Sequence, residues 1–313
     1  MPIDLSIVTT LYYSASFISP FIERATRTAQ AFSPNFEIIL VNDGSPDASL
    51  TVALDVQAHG APITIVDLSR NFGHHQALRL GLSYATGKKV FLLDSDLEES
   101  PEWFALFNAL LEEKKCDVVY GVQRKRKGKW LERQSGQLFY WLFNHLSGVS
   151  IPENSVTARL MTRRYVDAVL AFEERALFLP GLWELAGFQQ YPCLIDKGFR
   201  HGTTYSLFRR FSLAVNALTS FSDRPLVFIF YTGVILIAVS LLLILTLVYL
   251  KCFHGIPLMG WPSLIVSIWF LGGIIIFFIG VLGIYLAKLF VEMKRRPLAI
   301  VQAVHLPSGA TRS

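Results

Sequence analysis

The run Val90-Phe-Leu-Leu-Asp94-Ser-Asp96-Leu-Glu98-Glu99-Ser-Pro101 couples an apolar, strand-like stretch to two carboxylates one residue apart. In extended backbone, side chains at i and i+2 point to the same side. Asp94 and Asp96 therefore converge at the carboxyl end of a strand, where open α/β sheets bind their ligands. Two convergent carboxylates with room for water suit Mg²⁺ or Mn²⁺, hard cations that bridge protein carboxylates and substrate phosphates. A third acid, Asp43, ends another apolar run in Val41-Asn-Asp43-Gly-Ser45. Asp-Gly-Ser by itself is an ordinary turn, and a lone Asp-x-Asp is ordinarily solvated.

The elements that must carry these acids alternate regularly over the first 125 residues. Strands are expected at Leu5–Thr9, Glu37–Val41, Ile63–Asp67, Val90–Leu93 and Val118–Val122. Helices are expected near Pro20–Ala31, Ala48–His59, His74–Ala85 and Pro101–Lys114. Such a β-α-β-α rhythm with short loops specifies a mostly parallel, doubly wound sheet with helices on both faces. No G-x-G-x-x-G follows the first strand, which disfavours a dinucleotide site of that type.

Composition divides the chain. It has 313 residues, is 52% hydrophobic and carries a net charge of +5. The apolar excess lies near one end: Leu226–Leu250 and Gly255–Ala287 contain no charged residue. Each run exceeds the roughly 20 residues that cross a bilayer core, so a two-helix transmembrane hairpin is expected. Arg209, Arg210 and Arg224 precede the first run, and Lys288, Lys294, Arg295 and Arg296 follow the second. The positive-inside rule then places both flanks, both termini and the N-terminal region in the cytoplasm. Met1–Thr10 lacks the basic and apolar segments of a signal peptide.

The organisation expected is a cytoplasmic domain over residues 1–204, a juxtamembrane amphipathic helix over 205–225, two membrane helices over 226–290 and a cytoplasmic tail over 291–313. The segment Tyr205–Phe221, apolar with Arg209 and Arg210, reads as a helix lying in the membrane interface. The tail after Arg296 is expected to be loose. Cys116, Cys193 and Cys252 have no metal-binding spacing, and disulfides do not fit a reducing compartment. The positive charge matches an anionic lipid surface or a phosphorylated substrate. No nucleic-acid motif accompanies it, so nucleic acid is not an expected partner.

Taken in order, Asp43, Ser69-Arg-Asn71-Phe-Gly73, the Asp94/Asp96 pair, Gly121-Val122 through Arg126, Phe139-Tyr-x-Leu-x-Asn144 and Thr219-Ser-Phe-Ser222 before two apolar runs resemble the family-2, GT-A polyprenyl-phosphate glycosyltransferases. That group includes bactoprenol glucosyltransferases and dolichol-phosphate mannose synthase. The resemblance spans roughly residues 3 to 296. It implies inverting transfer of one sugar from a UDP- or GDP-sugar to a polyprenyl (undecaprenyl) phosphate at the cytoplasmic membrane face. The product would be a lipid-linked sugar for cell-surface glycan or O-antigen modification. By the same resemblance Thr10, Tyr12, Asp43, Asn71, Gly73, Asp94 and Ser95 contact the donor, while Asp96 with Asp94 holds Mg²⁺ or Mn²⁺. It also implies a homo-oligomer, by analogy a tetramer; Gly272, Gly273, Gly280 and Gly283 offer faces for helix packing.

Two departures stand out. The family's Pro-x-Tyr-Asn-Glu appears as Thr10-Leu-Tyr12-Tyr13-Ser14, and its Asp-x-Gly-Asp-Phe as Asn154-Ser-Val-Thr157-Ala158. Both acids of the second motif are absent, including the one assigned as general base. A phosphate monoester has its second pKa near 6. It is already an anion at neutral pH and needs little help from a base, whose usual contribution is ~10²–10⁴-fold. The missing acids therefore favour a phosphate acceptor, and restoring one as Thr157→Asp is expected to change the rate modestly.

An anionic acceptor needs cations. Arg126, Arg133 and Arg159 are the candidates, with Lys197 or Arg200 standing where the family keeps a basic residue. His74 and His75 face different directions on a helix and read as polar lining or capping. Glu98-Glu99 reads as a solvated continuation of the Asp-x-Asp loop. The alternatives are an enzyme that extends a lipid-linked saccharide, which would want a base, and a non-catalytic membrane-anchored scaffold.

Overall fold

The computed structural model describes residues 2–124, 151–152, 154–175, 178–196, 219, 222, 224–254 and 260–307. The chain begins with β1 (Leu5–Leu11), α1 (Ile18–Phe32), β2 (Phe36–Asn42), α2 (Ser49–Ala58), β3 (Ile63–Leu68) and α3 (His74–Tyr84). It continues with β4 (Lys89–Leu92), α4 (Trp103–Lys114), β5 (Val118–Gln123), β6 (Ser155–Thr162), α5 (Arg163–Leu170), α6 (Leu179–Leu185) and β7 (Gln190–Ile195). Then come α7 (Arg224–His254), α8 (Trp261–Met293) and β8 (Val301–His305). All nine elements expected in the first 125 residues are present, with ends shifted by one or two residues.

The eight strands form one sheet in the order β7-β5-β6-β4-β1-β2-β3-β8. β1 pairs in parallel with β2 and β4, β2 with β3, and β5 with β7. β1 is buried along its whole length, as a central parallel strand covered on both faces must be. One face packs against α1, α2 and α4 through Phe21, Ala53, Phe91 and Phe107. The other packs against α3, α5 and α6 through Val8, Leu78, Tyr165 and Leu182. In α1 the buried positions are Ile18, Phe21, Ile22, Ala25 and Ala29, the i, i+3, i+4 spacing of a helix laid on a sheet.

Two strands run antiparallel to the rest. β6 inserts between β4 and β5, and its ladder with β5 is irregular. Tyr120 pairs with Arg159, so a regular ladder would pair Val122 with Thr157; Val122 pairs with Ser155 instead. The extra β6 residues bulge where Val156 packs over Gly121, and such bulges re-aim side chains beside sites.

β8 is the second, pairing antiparallel with β3 at the sheet's edge, Ile65 against His305. Residues 297–307, part of the tail expected to be loose, are therefore ordered. Leu298, Ala299 and Val301 pack on the α3-side core, and the Gln57 side chain donates to the His305 carbonyl (3.0 Å). Apolar burial and a free sheet edge together outweigh the mobility that terminal position suggests.

The stretch Ser267–Met293 of α8 is 27 residues long, apolar enough to cross a bilayer and uncovered by the rest of the protein. Trp269 and Ile276 are 79% and 72% exposed, far outside what water tolerates in a continuous apolar surface. The Tyr285 hydroxyl donates to the Ser222 carbonyl (2.6 Å), tying α8 to the chain just before α7. At the far end of α8, the Glu292 carboxylate accepts the Arg175 backbone N–H (2.9 and 3.0 Å). The helix is thus stitched to the domain at Glu292 and again through β8. Among residues 205–221, where an interfacial helix is expected, only Thr219 is described.

Candidate active site

The carboxyl ends of β1, β2 and β4 and the start of α3 meet at one edge of the sheet. Their loops interlock through small polar groups. The Asp47 carboxylate accepts from the Ser45 and Ser49 hydroxyls (2.6 and 2.5 Å) and the Ala15 backbone N–H (3.2 Å). Burial pushes its carboxyl up, but these hydrogen bonds prevail and hold it at about 2. Gly44 sits at φ +57°, and a Cβ there would meet the Arg70 backbone at 2.4 Å. Only glycine lets the β2–α2 loop touch the β3–α3 loop so closely.

That contact is where Asp43 lies. Its Oδ1 accepts the Phe72 N–H (2.7 Å), and its Oδ2 accepts the Gly73 N–H (3.0 Å) and the Asn71 amide (3.0 Å). Burial raises the Asp43 carboxyl, with the two backbone N–H groups pulling the other way. Asp43, Asn71 and Gly73, expected to contact the donor, lie together and clamp the turn into α3, and Asp43 is 2% exposed. Gly73, at φ +109°, makes the sharp entry that a side chain would strain.

The Asp-x-Asp loop follows β4. Asp94 lies just past the strand and keeps 24% of its side chain exposed. Ser95 turns inward, its hydroxyl reaching the Thr10 carbonyl (2.9 Å) and the Ser14 hydroxyl (3.1 Å), so it joins β4 to β1. Leu97 adopts φ +61°, a costly conformation for a leucine and of a kind that concentrates at functional sites. The turn is closed by the Glu98 N–H donating to Asp96 Oδ1 (3.1 Å). Tyr12 and Tyr13, 48% and 56% exposed, pack edge-to-face beside the site at the end of β1.

Glu99 corrects the sequence reading. It is fully buried rather than solvated. Its Oε2 accepts the Asp94 N–H (3.1 Å) and its Oε1 the Thr157 N–H (3.1 Å). One carboxylate therefore fastens the Asp-x-Asp loop to the β6 bulge, and the Thr157 hydroxyl donates to Asp94 Oδ2 (3.1 Å). Where the resemblance implies a general base, this chain presents a hydrogen-bond donor aimed at another acid. Asn154 adopts φ +58° in the turn before β6, a conformation Asn tolerates.

Arg159 departs from its expected acceptor-facing role. It points to the α3-side core, 2% exposed, its guanidinium 3.0 Å from the centre of the Trp183 ring. Burial pulls it down to about 10, with Tyr165, Glu184 and Glu99 pulling the other way, so it stays charged at neutral pH. Arg159 lies in the regular ladder, opposite Leu92 and Tyr120, on the face whose core includes Leu92 and Met161; the sequence predicts no strand there that would show this. Arg126, Arg133, Lys197 and Arg200 lie outside the described residues.

Among the described residues no group of three or more His, Cys, Asp or Glu side chains could hold a metal ion. Buried Asp94 Oδ1 has no hydrogen-bond partner. That unpartnered oxygen fits a cation held by one or two carboxylates and completed by substrate phosphate, as Mg²⁺ usually is.

The chain belongs to glycosyl transferase family 2, whose family model matches residues 6–170. It is a glycosyltransferase with a GT-A-like α/β fold and a mostly parallel sheet. A Mycobacterium tuberculosis (strain CDC 1551 / Oshkosh) protein named among the glycosyltransferases is 42% identical over 308 residues, covering 98% of this chain and 90% of that protein. The SfII prophage-derived bactoprenol glucosyl transferase of Shigella flexneri is 32% identical over 294 residues, covering 91% and 94%. Among solved structures, glucosyl-3-phosphoglycerate synthase from Mycobacterium tuberculosis in complex with Mn²⁺, uridine-diphosphate and phosphoglyceric acid overlays 69% of this chain and 76% of that one, at 15% identity and a TM-score of 0.49.

Proposed function

We propose that the protein transfers a single sugar, with inversion, from a UDP- or GDP-sugar to a polyprenyl phosphate at the cytoplasmic face of a membrane. One observation carries the reading: the Asp-x-Asp edge shares its sheet with β8, which the chain reaches only after an exposed helix long enough to span a bilayer. The site is thereby tied to a membrane, where a lipid acceptor keeps its phosphate at headgroup level. Relatives named bactoprenol glucosyl transferase agree with it.

The same strand supports the two-span hairpin. β3 and β8 are hydrogen-bonded neighbours, so the chain between them must cross a bilayer an even number of times. If α8 crosses, α7, with its 31 residues, is our candidate for the other crossing. The basic flanks support a cytoplasmic domain and C-terminus.

In the reaction, an acceptor phosphate oxygen bonds to the anomeric carbon as the bond to the nucleoside diphosphate breaks. Asp96, with Asp94, would hold Mg²⁺ or Mn²⁺, whose charge offsets that of the departing diphosphate. Asp94, set by Thr157 and Glu99, would support that cation or touch the donor sugar and ribose. The Thr157 hydroxyl already donates to Asp94 and supplies no base, which suits an acceptor that is itself an anion. Arg126, Arg133, Lys197 and Arg200 remain the proposed acceptor cations.

The test incubates purified full-length protein with Mg²⁺ or Mn²⁺, a panel of UDP- and GDP-sugars, and either undecaprenyl phosphate or undecaprenol. Sugar should reach only the phosphorylated lipid. Transfer to saccharide hydroxyls in its place would establish the lipid-saccharide extension instead.

A further inference from the structure

His74 opens α3, and its imidazole reaches back across two strand ends. Nδ1 lies 3.2 Å from the Thr10 hydroxyl at the end of β1. Nε2 lies 3.5 Å from Asp94 Oδ1 just past β4. That oxygen is the buried one without a hydrogen-bond partner, while Oδ2 receives the Thr157 hydroxyl. Neighbouring His75 turns away to the Phe178 ring, 5.8 Å between centres. His74 therefore differs from an ordinary helix-start residue. With 46% of its side chain exposed it faces the open edge, yet both ring nitrogens address groups on different strands.

We propose that His74 is a positioning residue for sugar transfer, acting through Asp94. A neutral imidazole has one donor and one acceptor nitrogen. With the Thr10 hydroxyl donating to Nδ1, the proton sits on Nε2 and is directed at Asp94 Oδ1. The carboxylate is then gripped from opposite sides, by Thr157 at Oδ2 and His74 at Oδ1, and its plane is fixed toward the donor. Apo contacts of this length tighten when substrate closes the site. The inference rests on the proposed use of Asp94 at the donor.

The experiment compares wild type, His74→Leu, His74→Gln, Asp94→Asn and His74→Leu/Asp94→Asn as full-length protein in detergent. Two quantities are read: kcat and KM for transfer, and the affinity for UDP and GDP with Mn²⁺ by calorimetry. Releasing a positioned carboxylate by about 1 Å costs ~10²-fold, so His74→Leu should lose that factor, chiefly in kcat, and bind nucleotide more weakly. His74→Gln keeps an N–H donor at the Nε2 end and should recover much of the loss. With Asn at position 94, His74→Leu should add nothing, the mark of a residue acting through its partner. An equal loss in both backgrounds, or no loss in either quantity, overturns the proposal. If wild type transfers no sugar to polyprenyl phosphate, the functional reading fails, while the nucleotide affinities of the five proteins still decide His74.

Discussion

Thr157 is the position at which structure and sequence pull apart, and substituting it tests the site most sharply. Its hydroxyl lies 3.1 Å from Asp94 Oδ2, and its backbone N–H is held by buried Glu99. Thr157→Val removes the hydroxyl alone and keeps the branched shape and the N–H. A hydrogen bond to a charged group is worth about 1.5–3 kcal/mol, and about 1.4 kcal/mol is tenfold. Thr157→Val should therefore lower kcat/KM by roughly 10- to 100-fold. Thr157→Asp does more than lose a donor, because it sets a second carboxylate against the first. Two like charges about 4 Å apart repel by about 4 kcal/mol at an effective dielectric of 20. Thr157→Asp should thus be more damaging than Thr157→Val, and part of its loss should return as Mn²⁺ is raised, since a divalent cation screens the pair. The assay is sugar transfer to undecaprenyl phosphate, with kcat and KM measured across a Mn²⁺ series. If Thr157→Asp equals wild type, or exceeds Thr157→Val, Asp94 is not held as described and the acid can serve as a base after all.

Asp96→Asn should abolish transfer and Mn²⁺-dependent nucleotide binding while the protein still folds, because the amide loses the charge that attracts a hard cation; near-normal metal-dependent turnover would remove Asp96 from the metal. Glu99→Leu should destabilise the protein and reduce transfer together, since two backbone N–H groups lose their shared acceptor; unchanged thermal unfolding would refute its role as a fastener. Asp47, held at about 2 in the folded protein, contributes stability that is complete above the ordinary carboxylate pKa of ~3.9 and disappears as pH falls toward 2. Asp47→Asn should therefore lower the unfolding temperature at pH 7 and much less at pH 2, and an equal drop at both would show that charge is not involved. A cysteine at exposed Gln302 of β8 should resist a membrane-impermeant thiol reagent in intact cells; ready labelling would place the sheet outside.

The first half of the sheet was legible because its strands are short apolar runs separated by helices, a pattern set by local burial. Asp94 and Asp96 could be placed at a strand end for the same reason. What could not be read depends on contacts distant in sequence. Nothing in Glu98-Glu99 tells which acid turns inward; that is decided by two N–H groups, one of them 58 residues away at Thr157. The antiparallel insertion of β6 brings Thr157 to Asp94 and seals Arg159 beneath Trp183. For His74, a glycine at a helix start was the available signal, and the residues on either side of the imidazole come from two strands. Residues 301–305 look like a tail until β3 is seen to have a free edge.

The pairing of β3 with β8 also orders events during synthesis. Ile65 waits for His305, so the edge of β3 stays unpaired while residues 69–300 are made. An open edge strand is a template for wrong partners, and long-range pairings form late. On the membrane reading proposed above, β8 can dock only if the apolar helices return the chain to the side on which the sheet already stands. A molecule that failed to return would leave the edge of β3 bare, so closure of the sheet would act as a check on membrane insertion.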